Sequence, residues 1–263
     1  MLLSLKRYKD LNKVVLTVQI KMSAEDFVEA IKNGDAFPEG IVGIVIDGDV
    51  NLGGDVYSDD FENLDNYKYN ISLPNNLTIS GCLNLSYTNI TELPKGLSCE
   101  QLYIIGCNIT SLPNYIKVKR LYARNSSLTC LPKGFSCECL EIQSCKNITE
   151  LPNDIKVSEK LYADYSSLTC LPNGLCCELL GIAGCNITSL PNGIKVCYLY
   201  ANNSSLTCLP KGFSCEWLEI SGCNITEFPD NLTVSECLYY GPTPIYNEPK
   251  NLTLPPDNCI YYG

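Results

Sequence analysis

LPNGIKVCYLYANNSSLTC, at residues 190–208, runs straight into LPKGFSCEWLEISGCNITE at 209–227. Each stretch is 19 residues long and opens on Leu-Pro. Aligned, they share Leu-x-(Ile/Ala)-x-x-(Cys/Ser)-x-(Ile/Leu), filled by Leu199, Ala201, Ser204 and Leu206 in one and by Leu218, Ile220, Cys223 and Ile225 in the other. Outward from this pair, Leu-Pro (once Phe-Pro) opens units at Leu73, Leu93, Leu112, Leu131, Leu151, Leu171, Leu190, Leu209 and Phe228, at intervals of 19 or 20 residues. A spacing held to one residue over nine units is a structural repeat. Two types alternate: relatives of the 209–227 unit start at 93, 131 and 171, and relatives of the 190–208 unit at 112 and 151.

The frame is that of a leucine-rich repeat, at the short end of its range. Leu and Ile at alternate positions turn two side chains inward from a short strand. The small polar residue that follows turns the chain. Leu-Pro then requires an extended connector, because proline lacks an N–H and disfavours α geometry in the residue before it. No unit can fold alone; stacking buries a column of leucine, each side chain worth about 1.5–3 kcal/mol when fully buried. The expected fold is therefore a leucine-rich-repeat solenoid: a curved, right-handed, β-rich horseshoe with short parallel strands on its concave face and an extended, non-helical convex side.

The pattern reaches beyond the nine units. Ile44-x-Ile46-x-x-x-Val50-x-Leu52 matches Leu77-x-Ile79-x-x-x-Leu83-x-Leu85, which places repeats over 41–240 with residues 53–72 as an inserted acidic loop. Before them, SAEDFVEAIKNGD carries Ser23 as N-cap, Glu25 and Asp26 in the first turn and an apolar stripe of Phe27, Ala30 and Ile31. An N-terminal segment, 1–40, is thus expected to hold a capping helix at about 23–33, with residues 1–21 outside the folded unit. The tail, 241–263, is rich in Pro and Tyr and breaks the period, as a C-terminal cap does.

Composition narrows the chemistry. The chain has 263 residues, a net charge of −10 and no histidine. The charge argues against a nucleic-acid partner, and the missing histidine excludes Ser-His-Asp and Cys-His catalysis and every His-containing metal site. No apolar run reaches the roughly 18–20 residues that span a bilayer. The N-terminal MLLSLKRYKDLNKVVLTVQI lacks a small-residue cleavage site, so a secretory signal is not expected.

Seventeen cysteines remain to be explained. SSLTCLP occurs at 126–132, 166–172 and 204–210. Cys107, Cys145, Cys185 and Cys223 share the turn position with Ser126, Ser166 and Ser204. Cys99, Cys137, Cys177 and Cys215 share an inward column with Val118, Val157 and Val196, and Cys130, Cys170 and Cys208 share the unit's last position with Ser111, Glu150, Ser189 and Glu227. In each column cysteine takes alternate turns, so like sulfurs stand roughly 9–10 Å apart at the spacing of sheet strands. A disulfide needs Cα atoms within about 7 Å and zinc needs sulfurs at about 2.3 Å. The cysteines are therefore expected as small buried hydrophobes, with no metal site and no cofactor. Asn108-Ile-Thr, Asn186-Ile-Thr and Asn224-Ile-Thr are read as turn residues; in an exported protein they would be glycan sites.

Function is expected on the strand face. One outward column reads Asn84, Tyr103, Tyr122, Glu141, Tyr162, Gly181, Tyr200, Glu219 and Tyr239. The column before each Leu holds Gln101, Arg120, Cys139, Lys160, Leu179, Tyr198, Trp217 and Cys237, and a third includes Arg124, Gln143, Asp164 and Asn202. Exposed Trp and Tyr anchor protein interfaces, which makes Tyr103, Tyr122, Arg124, Tyr162, Tyr198, Tyr200, Trp217, Glu219 and Tyr239 the candidate partner-binding residues.

The Leu-Pro-x-x-(Leu/Ile) start, followed about nine residues later by Leu-x-(Ile/Ala), resembles the short bacterial-type leucine-rich repeats of YopM- and IpaH-like effector proteins over residues 73–240. The resemblance implies a scaffold that binds a host protein through its concave face, either cytoplasmic or secreted into a host cell without a classical signal peptide. Relatives with a ubiquitin-ligase domain carry Cys-x-Asp; no cysteine here has Asp two positions on, and the chain ends 23 residues after Tyr240, so ligase activity is not expected. Cysteine also stands at the turn where that family commonly has Asn. The expectation is a non-enzymatic protein-binding scaffold. An extracellular adhesion or receptor-like repeat protein and a thiol metal-binding or redox protein are the alternatives.

Overall fold

Inward Leu and Ile at fixed offsets let each unit pair only with the units before and after it, and its strands can then only run parallel. The computed structural model describes residues 18–37, 41–54, 71–245, 251–256 and 259–261. Residues 1–17, most of the expected loop (55–70) and parts of the tail lie outside them. Among the described residues the chain is a parallel β-solenoid of about nine turns with little helix. It divides into two compact units, residues 1–128 and 129–263.

In the first unit, β1 (Val18–Ser23) leads directly into α1 (Ala24–Lys32). Ser23 ends the strand and caps the helix, its hydroxyl accepting from the Asp26 amide at 3.1 Å. Phe27, Ala30 and Ile31 are buried, and Phe27 stacks on Phe37 with ring centroids 5.7 Å apart. The fold begins earlier than residue 22, because β1 pairs in parallel with β2 (Ile41–Asp47), Met22 beside Ile46. Strands β3 (Val50–Asn51), β4 (Leu77–Ile79), β5 (Cys82–Asn84), β6 (Ser98–Tyr103) and β7 (Lys117–Tyr122) follow. Ile44 lies beside Leu77, Ile46 beside Ile79 and Val50 beside Leu83. Leu83, Leu102 and Leu121 then continue one buried column.

The second unit contains β8 (Ser136–Glu141), β9 (Lys156–Tyr162), β10 (Leu179–Gly181), β11 (Tyr198–Tyr200), β12 (Ser214–Glu219), β13 (Thr233–Tyr239) and β14 (Ile260–Tyr261). Leu140, Leu161, Leu180, Leu199, Leu218 and Leu238 stand in register, each with no exposed surface. Strand β14 extends the stack into the tail, pairing Ile260 with Leu238 and Tyr261 with Tyr239. Asn251 repeats the left-handed backbone of Asn231, φ 56° against 59°. From that asparagine to the strand tyrosine the tail unit is two residues longer, Asn251 to Tyr261 against Asn231 to Tyr239. That extra length hides the strand from a search by spacing.

Each unit turns twice. In the 209–227 unit Phe213 N donates to Pro210 O at 3.1 Å and Cys223 N to Ile220 O at 3.2 Å. The third residue of each turn, Gly212 or Gly222, has positive φ, as a type II turn requires. Gly184 holds the equivalent place two units earlier for a second reason: a Cβ there would stand 2.5 Å from the Tyr165 ring, which lies across it from the neighbouring turn.

The turn cysteines do more than fill space. Sγ of Cys107, Cys185 and Cys223 donates to the main-chain oxygens of Leu85, Ala163 and Ala201 one turn earlier, at 2.9, 3.0 and 3.0 Å. The same sulfurs lie 3.9, 3.5 and 3.3 Å from the hydroxyls of Thr88, Ser166 and Ser204, all buried. The alternation of thiol and hydroxyl is thus a hydrogen-bonded stitch between consecutive turns. This corrects the expectation of a plain hydrophobe, which overlooked the S–H as a donor.

Cys223→Ser keeps a donor of similar size, whereas Cys223→Ala leaves the Ser204 hydroxyl without its neighbour. Urea unfolding should show the alanine variant less stable than the serine variant by about 1–3 kcal/mol. Equal midpoints would reduce these thiols to filler.

Candidate functional site

Side chains alternate across a strand, so a residue flanking the buried Leu of each rung faces outward, and the register sets its neighbours. In the first unit Tyr103 lies beside Tyr122 and Gln101 beside Arg120. The two phenol rings stack face to face, centroids 4.4 Å apart and planes 8° from parallel. Tyr103 Oη donates to Gln101 Oε1 at 2.8 Å, which fixes the ring's tip. Arg124 stands in the third column, its main-chain oxygen accepting from Gly106 N at 3.0 Å.

In the second unit the outward residues pair Tyr162 with Gly181 and Gly181 with Tyr200, then Tyr200 with Glu219 and Glu219 with Tyr239. Tyr198 stands beside Trp217, and Trp217 beside Cys237. The indole crosses to the next column and stacks on Tyr239, centroids 5.7 Å apart at 28°. Its Nε1 donates to Glu219 Oε1 at 2.8 Å. The other carboxylate oxygen accepts from Asn202 Nδ2 at 2.6 Å, and Asn202 Oδ1 accepts from Ser221 N at 3.0 Å. Trp217, Glu219 and Asn202 are thereby tied to the backbone of the strand's own end.

Carboxylates act on the tyrosines of this face. A hydrogen bond to Glu216, reinforced by the charges of Glu216 and Glu236, pushes the Tyr198 phenol up. Burial raises Tyr200, with Glu219 adding to it, and burial raises Tyr162, with Cys139, Glu141 and Asp164 adding to it. Burial also raises Asp164, opposed by the amide of Ala183, which donates to Oδ1 at 2.9 Å.

The predicted residues fall into two sets. Tyr103 and Tyr122 touch, with Arg124 in the same unit; Trp217, Glu219 and Tyr239 touch, with Tyr198 and Tyr200 in register beside them. Tyr162 is held apart from Tyr200 by Gly181. Asn202 and Asp164, not among the predicted site residues, join the face through side-chain hydrogen bonds. The signal that could have found them is their place in the third outward column, next to the aromatic one.

No disulfide links the seventeen cysteines, and among the described residues no group of three His, Cys, Asp or Glu is placed to hold a metal ion. Burial pushes the thiols of Cys99, Cys137, Cys177 and Cys215 up to about 12. Cys130, Cys170, Cys176 and Cys208 are exposed, which corrects the expectation of burial for the column at the unit's last position. Brief iodoacetamide treatment at pH 8, read by peptide mass spectrometry, should label the exposed four and spare the buried four until urea is added. Rapid native labelling of Cys215 would contradict the packing.

The single tryptophan reports on its own anchor. Near-ultraviolet circular dichroism of Trp217 should weaken in Glu219→Ala, which frees the indole, and persist in Tyr239→Phe, which keeps the stack. An unchanged spectrum in Glu219→Ala would show that the carboxylate does not hold the ring.

No protein-family model matches the chain, and no curated protein matches it.

Proposed function

We propose that the chain is a protein-recognition scaffold that binds a partner protein through the strand face of its second unit, without catalysis. One observation carries this reading. Trp217 and Tyr239, large outward side chains, are stacked on each other and clamped through Glu219 and Asn202 before any partner arrives. Aromatic anchors held rigid lose little entropy on binding, and such residues dominate interface energies. Parallel rungs at about 4.8 Å make seven strands roughly 30 Å wide, enough for the standard patch of about 800 Å² per partner.

In this reading the solenoid is a leucine-rich-repeat horseshoe of the short bacterial type, its strand face concave. The α1 helix, with Phe27, Ala30 and Ile31 buried, covers the open end of the core. The role is that of an effector-like binder, cytoplasmic or delivered into a host cell. Among the described residues no helix is long and apolar enough to cross a membrane.

Affinity capture from host-cell lysate, wild type against Tyr200→Ala/Trp217→Ala, tests the reading. The captured protein, once purified, should bind wild type at least about a hundredfold more tightly than the double variant, as loss of two anchors implies. Circular dichroism should show both proteins folded. Equal binding by a folded double variant would move the site off this face.

A further inference from the structure

The outward column of the second unit is aromatic or acidic except at Gly181, where it has no side chain. Adjacent tyrosines in this kind of column stack ring on ring, as Tyr103 and Tyr122 do at 4.4 Å. Strands β9 and β11 flank β10 in register, putting Tyr162 and Tyr200 two spacings apart, about 9.6 Å. Between upright rings at that separation there is room for one planar layer, about 4.8 Å from each.

The floor of this gap is a carboxylate. Asp164 Oδ2 stands 2.7 Å from where a Cβ of Gly181 would be, so the carboxylate lies directly over the glycine, at the base of the gap. Oδ1 accepts from Ala183 N at 2.9 Å, and the residue's own amide also steadies the carboxylate. On the adjoining rung Gln143 Oε1 is buried and has no hydrogen-bond partner. A carboxylate thus lies at the glycine between the two tyrosines, in a chain of net charge −10.

We propose that the gap between Tyr162 and Tyr200 over Gly181 receives the guanidinium of an arginine side chain on the partner, stacked between the two phenol rings and donating to Asp164 Oδ2. A guanidinium is flat, stacks on aromatic faces and carries its donors in a fork that matches a carboxylate. An ammonium group is compact and strongly hydrated, and would leave the slot part empty. The inference deepens the reading of the strand face as a protein-binding surface and rests on it.

The test uses the full chain labelled with nitrogen-15 and methylguanidinium as the probe, against methylammonium at equal ionic strength. Methylguanidinium should shift the Gly181 and Ala183 amide signals saturably, and methylammonium should bind several-fold more weakly. Asp164→Asn, nearly isosteric, should weaken methylguanidinium about tenfold, as loss of a hydrogen bond to a charged group implies. Gly181→Tyr fills the slot and should abolish the shifts; Tyr200→Ala, which removes one wall, does the same if the tyrosine variant fails to fold. No saturable shift, equal response to the two cations, or no effect of Asp164→Asn would overturn the proposal, and preferential binding of phenol would replace it with an aromatic occupant. Partner capture that still depends on Trp217 while methylguanidinium fails to bind would sink the slot alone. Saturable methylguanidinium binding with Trp217-independent capture would sink the anchor reading and keep the slot.

Discussion

The parallel register that sets the leucine of one rung on the leucine of the next is the constraint on which everything else depends. A unit of 19 or 20 residues has no interior of its own. Leu180 and Leu199 lose their last exposed surface only because each is covered by the rungs on either side. A slip of one residue would turn the whole inward set outward, so the register tolerates no local alternative. The thiol–hydroxyl stitch works in the same direction. Cys185 reaches back to Ala163 and Ser166, which holds the strand's exit turn at the same height on successive rungs.

That constraint is also what makes the outer face chemically legible. Once registers are locked, a side chain meets its neighbour because of its place in the repeat, whatever the sequence between. Tyr103 and Tyr122 are 19 residues apart and stack within 8° of parallel. Trp217 and Tyr239 meet across columns, and Glu219 and Asn202 bind them to the turn that follows the strand. The apolar core thereby rigidifies the polar surface, and a rigid aromatic surface is the kind that binds at small entropic loss.

The same logic separates what could be read from the sequence from what could not. The outward columns follow from strand parity, and the match of Ile44 and Ile46 to Leu77 and Ile79 follows from spacing; the observed registers carry both. Strand β1 is hidden because Gln19 and Lys21 alternate with Ile20 and Met22 over too few residues to stand out from the basic sequence before it. Strand β14 was hidden by a two-residue insertion. The sulfur hydrogen bonds were hidden because composition treats cysteine as apolar, and only the position of the preceding carbonyl reveals the donor. The contact of Asp164 with the space over Gly181 joins different columns on neighbouring rungs, and no pattern along the chain records it.

Two local costs fall together at that place. A glycine inside a strand gives up about 0.5–1 kcal/mol of backbone entropy relative to alanine. Asp164 is partly desolvated, which disfavours its charged form. On the rung before Asp164, Gln143 keeps a buried oxygen without a donor, where interiors normally supply one. Glu219, by contrast, is satisfied at both oxygens on the same face. A repeat protein could remove the costs at 181 and 164 by placing another tyrosine at 181 and letting Asp164 turn to solvent. Departures from local consistency gather where a surface is shaped for something other than its own stability. A flat cation would pair with the Asp164 carboxylate and fill the missing layer at once, which no single group on these rungs does.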